Sequence, residues 1–157
     1  MTASPSQTPE NTPGSPADDP AGKTTARYGY KDTSFQAAGG LEGIRRLVDC
    51  FYDMMEQLPQ AQVIRAMHDA DLSTSRDKLT YFLCGWMGGP RHYAGKYGPI
   101  NIPQVHRHLK IGEEERDAWL LCMAKAIEQQ PYAAAFKVYL LQQLAIPAER
   151  VRVTSGW

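Results

Sequence analysis

The sequence predicts an all-α domain of four main helices joined by short pieces. Three observations point there. Apolar residues recur at three- and four-residue steps along segments 41–55, 79–86 and 119–127. No segment sustains the alternation of a half-buried strand, although a short tail at 150–153 could be extended. Glycine and proline cluster between the periodic segments, where they punctuate helices.

The elements follow in order. Residues 1–26 are rich in Pro, Ser, Thr, Asp and Ala, with no large apolar side chain after Met1. Such a stretch buries too little surface to offset its ordering entropy, so it reads as a disordered arm before a domain spanning 27–157. Its "AGKT" resembles the end of a phosphate-binding loop. Ala17 stands where that motif needs glycine, and no strand precedes it. Gly39-Gly40 then marks a tight entry to a helix carrying Leu41, Ile44, Leu47, Val48, Phe51 and Met55, and Pro59 either ends it or starts the next short one. The next helix, 74–87, carries Leu79, Phe82, Leu83 and Trp86 and stops at "GGP", 88–90. Residues 91–105 read as a loop longer than packing requires. Gly112 occupies a cap position, and Glu113, Glu114 and Glu115 suit the first turn of a helix dipole. Trp119, Cys122, Met123, Ala126 and Ile127 continue that helix. A last helix, about 132–146, aligns Phe136, Leu140 and Leu144 and is bounded by Pro147.

Bulk properties remove several function classes. The chain has 157 residues, the size of one domain, with 17 basic and 17 acidic side chains. That balance argues against a nucleic-acid binder driven by phosphate attraction. No apolar run reaches the roughly 18–20 residues that cross a bilayer, and no secretory signal pattern opens the chain. The three cysteines, Cys50, Cys84 and Cys122, are odd in number and widely spaced. They read as small apolar residues in a reducing cytoplasm.

Polar groups on apolar faces carry the chemistry. Tyr52 lies between Val48 and Met55 on the inner arc of its helix, and Trp119 on the inner face of another. Each polar hydrogen needs a partner if buried, whether backbone or ligand. His106 and His108, two positions apart, point about 200° apart on a helix, so they do not form a paired metal site there. Either is an ordinary residue near a helix start or a single metal ligand. No Glu-x-x-His pair, His-Glu-x-x-His motif, serine elbow or dinucleotide fingerprint occurs. One histidine, a buried tyrosine and a buried tryptophan on separate elements suit a haem, which supplies four iron ligands itself.

Three stretches carry a family resemblance: "GGLEGIRRLVDCFYDMM" at 39–55, "LTYFLCGWMGGPRHY" at 79–93 and "VHRHLKIGEEERDAWLLCMAKAI" at 105–127. The chain resembles the group II truncated haemoglobins across about 30–146. The resemblance implies a truncated, two-over-two globin fold around one haem b. It places the iron ligand on His106 and leaves His108 at the haem edge or in solvent. Tyr52 matches the family's distal tyrosine, Trp119 its tryptophan and Ser75 its distal-helix position, with Leu79 one turn on. His68 falls at the corner after the second helix, with Met67 the alternative if the loop length shifts. Phe82 and Trp86 would wall the pocket, and charge and place make Arg91 and Lys110 candidates for the propionates.

The resemblance implies binding of O2, NO or CO, with reaction of O2 with NO or modest peroxide chemistry as open ends. Turnover would need a separate reductase. Monomer and homodimer both remain open. The alternative is a globin-fold interaction or sensor module without haem-ligand turnover, meeting a partner through its proline-rich arm.

Overall fold

A computed structural model describes residues 28–99 and 108–154. The expected 1–26 arm lies outside them, and so does His106. Every regular element among the described residues is helical: α1 (Thr33–Ala37), α2 (Gly40–Gln57), a 3-10 turn (Pro59–Ala61), α3 (Gln62–Ala66), α4 (Ser73–Trp86), α5 (His92–Tyr97), α6 (Glu113–Glu128) and α7 (Ala134–Thr154).

Local chemistry fixes the ends of these helices. Gly39 opens α2 with φ 90°, a left-handed conformation that glycine adopts without penalty. Leu58 closes α2 in an extended conformation, as the residue before Pro59 must. Asp71 starts α4 by accepting the Ser73 N–H at 2.9 Å and the Ser73 hydroxyl at 2.7 Å. Gly88, φ 91°, ends the turn after α4; a Cβ there would sit 1.9 Å from the Lys31 carbonyl oxygen. Gly112 has no side chain to cap α6, so Glu115 reaches back and accepts the Gly112 N–H at 2.7 Å.

Packing follows from the apolar stripes. α2 buries Ile44, Leu47, Val48, Phe51, Tyr52 and Met55, and α6 buries Ala118, Cys122, Met123, Ala126 and Ile127. Each fully buried Leu, Phe or Met contributes roughly 1.5–3 kcal/mol. α2 packs on both α4 and α6, and α6 packs on α7. Two helices therefore lie over two. Arg76 ties the upper pair together, bonding the Asp49 carbonyl at 3.0 Å and the Asp53 carboxylate at 3.0 Å.

The structure corrects two expectations. Residues 92–97 are helical rather than loop, although Gly95 lies within them. The reason is tertiary: Lys96 and the Tyr97 hydroxyl donate to Asp77 on α4 at 2.7 and 2.6 Å, pinning the short helix down. Pro147 does not bound the last helix, which continues to Thr154 and takes in the tail expected to be extended. Beyond the proline, Glu149 joins the α7 tail to α6: its carboxylate accepts Arg116 from α6 at 2.7 Å and Arg152 from its own helix at 2.8 Å. These pairs tie the segment beyond the proline to α6 and to its own helix.

Candidate functional site

The α2–α4 and α6–α7 pairs enclose a cavity of about 380 Å³, within the roughly 300–1,000 Å³ range of cofactor and ligand pockets. Its walls are mostly apolar: Ile64, Met67, Leu79, Phe82, Leu83, Leu109, Ile111, Leu144, Pro147 and Val151. Into them project Tyr52 from α2, His68 from the turn after α3, Ser75 from α4 and Trp119 from α6.

The fold sets each of these side chains. Phe51 is fully buried and meets both aromatic donors edge-on, with ring centroids 4.9 Å from Tyr52 and 5.1 Å from Trp119. One core ring thus backs Tyr52 and Trp119 together. The Arg76 guanidinium lies 5.7 Å from the Tyr52 ring. Burial nevertheless raises the Tyr52 pKa, Arg76 opposing only in part, so the phenol stays protonated as a donor. Among the described residues that hydroxyl makes no hydrogen bond. His68 stands edge-to-face on Tyr52, with centroids 5.7 Å apart at 80°. Its Nδ1 lies 2.8 Å from the Ile64 carbonyl oxygen.

Six of the site residues expected from sequence meet at this cavity: Tyr52, His68, Ser75, Leu79, Phe82 and Trp119. Met67, the alternative at the corner, lines it beside His68, so the fold brings both inward. Trp86 stands off the wall, stacked against Phe82 at 6.4 Å. Arg91 and Lys110 are exposed and outside the lining. His108 is exposed yet reaches the cavity rim. The cations that do line the cavity are Lys78 and Arg116, neither singled out from sequence. Spacing held the signal: Lys78 follows Ser75 by three, and Arg116 precedes Trp119 by three, so each shares a helix face with a cavity residue.

The model for bacterial-like globins matches residues 33–149. The chain belongs to the bacterial-like globin family. This globin is 28% identical over 112 residues to the group 2 truncated hemoglobin YjbI of Bacillus subtilis, across 71% of this chain and 83% of that protein. Among solved structures, the group II 2-on-2 hemoglobin from Agrobacterium tumefaciens superposes with a TM-score of 0.72 at 34% identity, covering 76% of this chain and 92% of that one. A truncated oxygen-avid haemoglobin from Bacillus subtilis gives 0.69 at 27% identity, covering 75% and 97%. The helical arrangement is the two-over-two globin fold, and the similarity runs to the group II truncated haemoglobins.

Membership implies a haem-iron cofactor and small diatomic ligands. The cavity fits that group on its own terms. Apolar walls from α3, α4, α7 and the segment before α6 suit a flat macrocycle, and a buried protonated tyrosine without an acceptor among the described residues suits a polar ligand beside it. Among the described residues no group of three or more His, Cys, Asp or Glu could hold a metal ion. Nor is any helix there long and apolar enough to cross a membrane.

Proposed function

We propose that this globin retains O2 on a haem b ligated by His106, using Tyr52 and Trp119 as hydrogen-bond donors. The observation that carries the reading is the convergence of those two donors, backed by one Phe51 ring, on a mostly apolar cavity. The haem, when bound, supplies the coordination site. The chain supplies the rest. The Tyr52 O–H and Trp119 N–H donate to the ligand atom that gains partial negative charge, in a low-dielectric space where such bonds count most. Ile64, Leu79, Phe82 and Leu83 exclude water from it. Lys78, at the rim, is the cation suited to a cofactor carboxylate.

Tight retention suits chemistry more than delivery. Retained O2 can oxidise nitric oxide to nitrate, a cycle that needs one electron per turn from a separate reductase.

The test is an absorption spectrum of the purified protein: ferric, reduced, then with CO, repeated on His106→Ala. The expected result is a Soret band that shifts with CO in the wild type and is lost or weakened in the variant. A haem-reconstituted wild type without a specific Soret band would overturn the reading, and the chain would then be a helical interaction module. A variant indistinguishable from wild type would move the iron ligand away from His106.

A further inference from the structure

Beside the Tyr52 and Trp119 donors, the cavity is lined by an imidazole, His68, whose ring is held by the backbone. A carbonyl oxygen only accepts, so the 2.8 Å contact from His68 to Ile64 means that Nδ1 carries the hydrogen. The same carbonyl also accepts the Met67 N–H at 3.1 Å, which fills both lone pairs at the end of α3. In the neutral ring the lone pair is then on Nε2, and Nε2 has no hydrogen-bond partner among the described residues. The Tyr52 ring fixes the imidazole edge-on.

Other titratable groups line the same cavity: Lys78 of α4 and Tyr93 of α5, the exposed His108 at the rim, and Glu115 and Arg116 of α6. Arg65 of α3 pairs with Glu56 of α2 and with the carbonyls of Asp69 and Ala70. Arg76 of α4 is held by Asp49 and Asp53. On α6, Glu115 accepts the Gly112 N–H and Arg116 pairs with Glu149. Tyr52 is held protonated by burial. Ser75 of α4 is a hydroxyl, not a base at neutral pH.

We propose that His68 is the proton acceptor of this cavity, and that it fits the site to small weak acids HX, such as hydrogen peroxide, hydrogen sulfide or hydrogen cyanide, taken up neutral and held as anions. The inference rests on the haem reading above, since the anion needs the iron. The H–X bond breaks heterolytically, X keeps the bonding pair, and the Nε2 lone pair takes the proton. The resulting imidazolium donates Nε2–H back to X⁻, alongside the Tyr52 and Trp119 donors. No electron changes hands. O2, NO and CO carry no proton and make no use of this step, so His68 separates acid ligands from neutral ones.

Hydrogen cyanide is the probe. Its binding to the ferric, haem-reconstituted protein at pH 7 is followed by calorimetry in buffers of different ionisation enthalpy, which counts protons released. Stopped-flow absorbance gives the association rate. Wild type, His68→Phe and His68→Gln are compared, and a CO-shifted Soret band in each reduced sample shows that haem is loaded. The expected result is close to no proton released in wild type, about one in both variants, and association slowed roughly 100-fold or more, the usual contribution of a positioned acid–base group. In a 15N–1H ring correlation of the CO-bound protein, His68 should show a protonated Nδ1 and a bare Nε2. Equal proton counts, unchanged association rates, or the opposite tautomer would overturn the proposal. Absence of the CO-shifted band in wild type would instead overturn the haem reading beneath it.

Discussion

In the function proposed above, Trp119 and Tyr52 each act through a single hydrogen. Losing one donor to a bound ligand should cost roughly 1–3 kcal/mol, a five- to 150-fold change. Trp119→Phe and Tyr52→Phe are therefore expected to raise the O2 dissociation rate within that range, measured by displacement with CO. The double variant should fall short of the product of the two, because both rings lean on Phe51 and neighbours couple. These residues were legible because helical spacing placed them on inward faces. Lys78 and Arg116 were overlooked although their three-residue spacing from Ser75 and Trp119 held a signal, because a charged side chain on a helix more often marks a solvated face. The iron ligand is a separate matter. The residues alone left His106 and His108 as equals, and only the family resemblance preferred one.

The tail of α7 is the element where sequence and structure part. Proline reads as a helix end because it removes one backbone bond and crowds the preceding turn. What overrides it is distant in sequence: Arg116, 33 positions before Glu149. Likewise α5 holds because of Asp77, 20 positions before Tyr97. Neither partner is visible in a local window. The Glu149 latch has a pH signature. Hydrogen bonds from Arg152 and then Arg116 lower its pKa to about 2. A depressed carboxylate stabilises the fold above its unfolded value, and that contribution fades as pH falls through the folded one. The protection of amides in residues 148–154, taken relative to the exchange rate of an unfolded chain at the same pH, should thus hold from neutral pH to about 4 and fall between about 4 and 2. Glu149→Gln should show the lower protection already at neutral pH, and high salt should narrow the difference. Protection in 148–154 that ignores pH and the substitution would sink the latch.

At the scale of the whole molecule, the fold class and the four long helices were readable because three- and four-residue spacing reports helix burial directly. How two helices lie over two was not, because crossing depends on which stripes meet rather than on any one stripe. Leu83 and Leu144 belong at once to the buried core and to the cavity wall, so the core and the pocket are one surface. A haem bound there only by the native state stabilises it by about 4 kcal/mol at a thousandfold excess over its Kd. Removing haem by acid extraction and neutralisation should lower the melting temperature by several degrees. Adding haem back should restore it in proportion to the Soret band recovered.

Phe51 gives this a practical edge. The ring that backs Tyr52 and Trp119 is also fully buried in the hydrophobic interior, so on the proposed reading a disturbance of the core beside it is expected to reach a ligand held by those two residues. Colour then becomes a gauge of structural health. A flask of this protein warming toward its melting point should change hue before its helices report any loss.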